Sequence, residues 1–486
     1  MFLFLFLAKK AKSLLFPCVV AAVAATLSGC EKPQPTAKHI FLFVADGASY
    51  AQRRLAAMAG ESGLFVDTLP VQGTAVPAVA DAAAAGALAT GKTTGAGMIS
   101  MISAEEPALP LITSIMAQNG YAVGLVTDAG LDAAAAASFY AHSEKRQNYY
   151  DIAAQLKDSP LSLLIGQDFK RRKAFQKEDL DVVLKKSGRR MVSRVTAGEK
   201  MPSGKVIAAL KNVPFALDAK AESPNLALFV EKAVEKLQGG DFLIVAVGEK
   251  IGLAAENRDT AALIAETAAF DLAVKKAFDF YAAHPQDTLI VVASTAEAGG
   301  LVLGTDGAVS PAVFKTQKVS IDTFKSAINR FRRRRPEGAT LENFMPKITE
   351  NFGLRLLTRE QKKELAEAAK NGDETAAQTL ETDLTGAETA LLREAFRHSM
   401  ADKPKTDALL RKYGKLDPLQ ATVLRILDDR ARTGYAAQGR TAVPTPVSAA
   451  GVKSDAFAGV YPQTDVFVKI LAAAGLLPDG TRPVSD

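Results

Sequence analysis

Four short apolar runs constrain this chain more than any other feature. They are His39–Ala45 (HIFLFVA), Tyr121–Val126 (YAVGLV), Phe242–Val247 (FLIVAV) and Thr288–Ala293 (TLIVVA). Each is rich in Val, Ile, Leu or Phe and lacks the polar alternation of a strand with one wet face. Such runs suit strands covered on both sides. Between them lie segments with apolar residues at three-to-four spacing: about 49–59, Pro110–Gln118, Tyr150–Leu156, Leu226–Leu237 and Thr260–Phe280. Strands alternating with helices predict an α/β fold with a doubly wound, mostly parallel sheet sandwiched by helices. In that architecture ligands collect outside the carboxyl ends of the strands. Asp46, Asp128, Gly248 and Ser294 fall at such ends.

The stretch from about 322 to 429 reads differently. It is polar and helical in pattern, with Glu and Lys at i to i+4 spacing around Thr358–Lys370. We read it as a helical insertion on an α/β body spanning 38–486. The basic cluster Arg332–Arg335 precedes Pro336 and reads as a solvated turn, with an anion or headgroup contact as the other reading.

The amino terminus has the pattern of a targeting segment. Lys9, Lys10 and Lys12 precede an apolar run from Leu14 to Leu27, too short for a confident membrane span. It ends in Leu27-Ser28-Gly29-Cys30, which resembles the lipobox of bacterial lipoproteins. That resemblance implies a signal peptide over 1–29, lipid attachment to Cys30 and a tether over 30–37. A lipid anchor in the cell envelope follows, facing the periplasm or on the outer membrane; Glu31 points to the outer membrane. Cys18 and Cys30 are the only cysteines. Cys18 leaves with the leader and Cys30 is acylated, so no disulfide is available to the exported body. Half of the formal charge of +6 belongs to the leader lysines. The remainder is nearly balanced, and nucleic acid is not an expected partner.

The order of the strand-end motifs resembles the alkaline phosphatase family. The residues that carry the resemblance are His39–Gly47 (HIFLFVADG), Asp81–Thr93 (DAAAAGALATGKT), Tyr121–Tyr149, Phe242–Phe270, Asp287–Gly304 and Phe457–Leu476. The family's chemistry implies a serine nucleophile, two zinc ions with a magnesium, and an arginine forked onto phosphate. Metal clamps of this kind neutralise developing charge and lower the pKa of bound water, and a guanidinium matches phosphate bidentately.

Residue by residue, the resemblance implies a degenerate member. Ala82 stands at the nucleophile position. Ala246 or Val247 replaces the magnesium glutamate, Gly252 a zinc aspartate, and Glu256 a zinc histidine. Thr295-Ala296 replaces an Asp-His pair, and Ala133–Ala137 a Thr-Pro region. Arg440, in Gly439-Arg440-Thr441, replaces the last zinc histidine. Asp46, Arg146 and Glu297 remain: Asp46 as a residual metal aspartate, Arg146 at the phosphate position. The four histidines, His39, His142, His284 and His398, show no ligand spacing such as HxH or HExxH. No zinc or magnesium is therefore expected.

These residues support three readings. The first is a catalytically inactive pseudophosphatase with a binding or scaffolding role at the envelope. The second is an active metal-dependent phosphomonoesterase using a non-standard oxygen-rich site built from Asp46, Asp132, Glu256 and Asp259. The third keeps anion recognition alone, with Arg146 and Arg440 holding phosphate or sulfate; its counterpart is an Asp46–arginine ion pair that closes the cleft. The family resemblance also implies a homodimer as a possible assembly.

Overall fold

A computed structural model describes residues 35–81, 84–334, 339–401 and 405–483. The leader, Cys30 and Ala82 lie outside the described residues. A compact unit begins at Ala37. Ala37, the last residue of the expected tether, is fully buried; its N–H donates to the Ala473 carbonyl at 2.8 Å, and its own carbonyl accepts from the Tyr121 hydroxyl at 2.7 Å.

The described strands are β1 His39–Ala45, β2 Val71–Val76, β3 Ala122–Gly130, β4 Leu163–Gln167, β5 Arg190–Val192, β6 Val206–Leu210, β7 Phe242–Gly248, β8 Thr288–Ser294, β9 Glu297–Ala298, β10 Leu301–Leu303, β11 Thr433–Tyr435, β12 Arg440–Thr441, β13 Thr445–Gly451 and β14 Gly459–Pro462. Ten of them form one sheet in the order β14-β2-β13-β8-β1-β7-β3-β4-β6-β5. Only β13 runs against its neighbours. The four strands read from the sequence lie side by side at the centre, as β8-β1-β7-β3.

β1 is buried on both faces, and its side chains divide between two cores. Phe41 and Phe43 point to one face, where Phe242, Phe270 and Phe280 pack around them with ring centroids 5.3–5.8 Å apart. Ile40, Leu42 and Val44 belong to the opposite core with Ile112, Phe139 and Ile470. Helices Leu226–Leu237 and Thr260–Ala283 supply the first face. Helices Ile112–Gln118 and Asp465–Ala473 supply the second. Their starts are set by local chemistry: Asn225 accepts from the Leu228 N–H and Asp259 from the Ala262 N–H.

Between Ile321 and Ala431 the described residues form seven helices and no strand of the sheet. Phe324, Phe344, Phe352 and Phe396 give this segment its own aromatic core. Arg332, from the basic run, forms an ion pair with Asp417 at 2.7 Å rather than facing a solvated turn.

A buried polar seam joins these helices to the sheet. Asp259 accepts from Gln317 Nε2 at 2.7 Å and from the Ile321 N–H at 2.6 Å. Asp428 accepts from the Thr260 hydroxyl at 2.7 Å and the Thr433 hydroxyl at 3.2 Å. Burial pushes the Asp428 carboxyl up to about 7, against the pull of those two hydroxyls. A raised acid pKa destabilises the folded state as pH climbs, because the unfolded chain loses its proton first. The protein should therefore lose stability between pH of about 4 and about 7. Asp428→Asn should remove on the order of 2–4 kcal/mol of that loss. Urea midpoints across this pH range check it; parallel curves for the two proteins would count against it.

Candidate functional site

The register of three central strands builds the site. Ala45, at the end of β1, lies opposite Gly248 of β7 and Ser294 of β8. The next residues of each strand therefore emerge together. Asp46 follows β1, Glu249 and Lys250 follow β7, and Thr295 follows β8. Asp46 is 1% exposed. Gly47 turns with φ +77, and a Cβ there would stand 2.6 Å from the Gly252 Cα, so only glycine fits.

The partner of Asp46 is Arg440. The antiparallel β9–β12 pair sets Arg440 against Ala298 and swings its side chain over β1. Nη1 donates to Asp46 Oδ1 and Nη2 to Oδ2, both at 2.7 Å. This is the two-pronged geometry of the strongest ion pairs. Nε donates to Glu256 at 3.0 Å, and Nη1 also reaches the Thr295 hydroxyl at 3.1 Å. Thr295 in turn donates to Asp46 Oδ1 at 2.6 Å. Arg440 is 5% exposed. Burial works against its charge, but Asp46 and Glu256 outweigh burial and raise its pKa.

Gly252 makes room for this arrangement. A Cβ at 252 would lie 2.9 Å from Arg440 Nη2 and 3.0 Å from Asp46 Oδ2. The glycine standing at a zinc-aspartate position is thus a space requirement of the guanidinium.

Behind the fork lies an acidic group that the sequence reading did not assign. Asp128 accepts from the N–H of Glu249 at 2.9 Å and of Lys250 at 3.3 Å. Glu249 is 7% exposed, and one carboxyl oxygen has no hydrogen-bond partner. Burial, with Asp46 and Asp128 nearby, pushes its pKa well above the usual carboxylate range. Lys250 donates to the carbonyls of Val213 and Pro214 at 2.6 and 2.5 Å. The available signal was the Glu-Lys dipeptide directly after an unbroken buried strand.

The donor set does not fit the zinc and magnesium of the resembled family. Both Asp46 oxygens face guanidinium nitrogens. Positions 252 and 296 carry no donor, and Glu256 is tied to Arg440. Glu297 accepts from Gln52 at 2.5 Å, from the Thr441 hydroxyl at 2.5 Å and from two backbone N–H groups. Among the described residues no group of three His, Cys, Asp or Glu side chains is placed to hold a metal ion. His142 contacts the Leu109 carbonyl, His39 stacks on Phe242 and lies near His284, and His398 faces Glu394.

Other candidates stand apart. Asp132 accepts from the Lys170 N–H, and Asp259 belongs to the seam described above. Of the four carboxylates weighed for an oxygen-rich site, Asp46 and Glu256 share Arg440, while Asp132 and Asp259 hold partners of their own. Arg146 and Arg440 also do not share an anion. Arg146 sits beside Asp81 at 3.6 Å, with 43% of its side chain exposed, while Arg440 is committed to Asp46. A buried carboxylate holds a guanidinium more tightly than a solvated anion does, which explains the division.

A central parallel sheet with an aspartate-glycine turn at the end of its middle strand, and recognition loops from the strands beside it, defines the alkaline-phosphatase-like α/β class. The chain belongs to the alkaline phosphatase family, whose profile matches residues 39–205 and 207–476. It is 26% identical over 242 residues to alkaline phosphatase 4 of Bacillus subtilis, covering 47% of this chain and 51% of that protein. To alkaline phosphatase 3 of the same organism it is 24% identical over 369 residues, covering 73% and 68%. The chain thus spans only about half the length of the first of these relatives. Among solved structures, a cold-active alkaline phosphatase from Shewanella superposes with a TM-score of 0.71 at 22% identity, covering 90% of this chain and 99% of that one. The Thermus thermophilus alkaline phosphatase gives 0.69 at 19%, covering 92% and 94%.

The fork predicts a specific stability pattern. Arg440→Met leaves Asp46 buried without a counter-charge and should cost about 3–5 kcal/mol. Replacing both partners, as Arg440→Met with Asp46→Leu, should restore most of it. Denaturant titration at neutral pH reads both; a double variant as weak as the single one would contradict the pairing.

Proposed function

We propose that this protein is a catalytically silent member of its family, a pseudophosphatase that serves a binding or scaffolding role at the bacterial cell envelope. The observation that carries the reading is the Arg440–Asp46 fork, with each guanidinium nitrogen 2.7 Å from a carboxylate oxygen. A guanidinium supplies positive charge but no open coordination position. It can neither lower the pKa of a bound water nor hold a leaving oxygen as a metal does. Alanine at 82 offers no nucleophile, and no imidazole lies near Asp46 to act as a base.

The membrane attachment rests on the sequence. Leu27-Ser28-Gly29-Cys30 supports lipidation at Cys30 and an envelope location. Phosphate or sulfate is a candidate ligand of Arg146, which keeps an exposed side chain.

Two measurements test the proposal. Elemental analysis of the purified protein should find no stoichiometric zinc, and 4-nitrophenyl phosphate should not be turned over with zinc and magnesium added. Chelator-sensitive turnover would overturn the silent-enzyme reading. For the anchor, labelled palmitate should enter the wild-type chain in a lipoprotein-processing bacterium and fail to enter Cys30→Ala. Equal labelling of the two would remove the anchor.

A further inference from the structure

The seam between the helical segment and the sheet encloses a cavity of about 590 Å³. Its volume lies in the range of small-molecule sites. The floor comes from the end of helix Lys250–Glu256 and from β11. The roof comes from helix Asp407–Tyr413, the turn after it, and helix Pro418–Ala431.

The charges on this wall are unbalanced. Arg258, Arg411 and Lys415 line it and form no ion pair among the described residues. The acids beside them are already engaged. Glu256 is held by Arg440, Asp429 lies 3.4 Å from Arg425, and Asp428 is pushed up to about 7 by burial. The cavity therefore presents net positive charge at neutral pH.

Two further features concern shape and strain. Arg258 has φ +55, a left-handed conformation that costs a non-glycine residue roughly 1–2 kcal/mol. Such strain persists where the surrounding structure enforces it, and it clusters at ligand clamps. Leu424 gives the wall an apolar surface, and Tyr413 contributes a buried hydroxyl with no hydrogen-bond partner. Apolar walls with a few placed polar groups are the composition of a small-molecule site.

We infer that this cavity binds an amphipathic anion, with a phosphate, sulfonate or carboxylate head on Arg258, Arg411 and Lys415 and an apolar body against Leu424. This goes beyond the loss of catalysis, and none of the three cations takes part in the Asp46–Arg440 fork.

The test is calorimetric titration of the full chain with naphthalene-1-sulfonate, an aromatic anion with no ester bond to cleave. We expect saturable one-to-one binding. The exposed double variant Arg258→Ala with Lys415→Ala should weaken it at least tenfold, with circular dichroism unchanged. Arg146→Ala should leave it intact. Absence of saturable heat overturns the inference, as does equal affinity in the double variant. Loss of binding in Arg146→Ala instead would place the anion beside Asp81 and overturn it too. Because the probe cannot be hydrolysed, these outcomes are independent of any phosphatase activity found in the preceding assay.

Discussion

The carboxylate of Asp46, buried at the end of the central strand, is the constraint around which this site is organised. A bare carboxylate with 1% exposure is costly, because burial strips its water. Something positive must stand beside it. In a metal-using site the cation is divalent and exchangeable. Here it is a guanidinium fixed by covalent connection to β12 and always protonated. Thr295 and Glu256 complete the arrangement by occupying the remaining donor and acceptor positions.

The substitutions around Asp46 are linked rather than independent. An aspartate at 252 would put its Cβ 2.9 Å from Arg440 Nη2. A ligand side chain at 252 would therefore push the Arg440 guanidinium out of its present fork on Asp46. Likewise, threonine at 295 donates to Asp46, where a second carboxylate would repel it. Once arginine occupies the cleft, small or neutral residues around it are favoured. Several losses that look like decay in the sequence are in this sense one packing solution.

Much of the fold was legible in the sequence, for a physical reason. The strands that show are those buried on both faces, where unbroken Val, Ile, Leu and Phe are needed; these turned out to be β8, β1, β7 and β3. The outer strands did not show. β2 (VQGTAV), β13 (TPVSAAG) and β14 (GVYP) mix glycine, proline and hydroxyl residues, and β6 (VIAAL) is short and alanine-rich. At the site, the sequence separated Asp46, Arg146 and Arg440 from the background and offered an Asp46–arginine pair, but could not choose that pair over a shared anion. Pairing depends on which carboxylate lies within reach, and that is a matter of strand register. The roles of Gly252 as space and of Glu249 as a buried acid with a raised pKa were invisible, because one is defined by an absent atom and the other by its surroundings.

Binding can outlive catalysis in this architecture because the two depend on different parts of it. The cleft at the ends of β1, β7 and β8 needed precise charge placement for metal chemistry, and the arginine fork fills that space. The helical segment forms a second concavity, lined by Glu256–Arg258 just beyond the helix that follows β7 and by β11. Glu256 belongs to both: it holds Arg440 and lines the cavity. A positively charged wall there requires no metal, no nucleophile and no imidazole, only cations left without partners. The silent reaction centre and the ligand surface proposed above are therefore compatible within one fold, with Glu256 contributing to both.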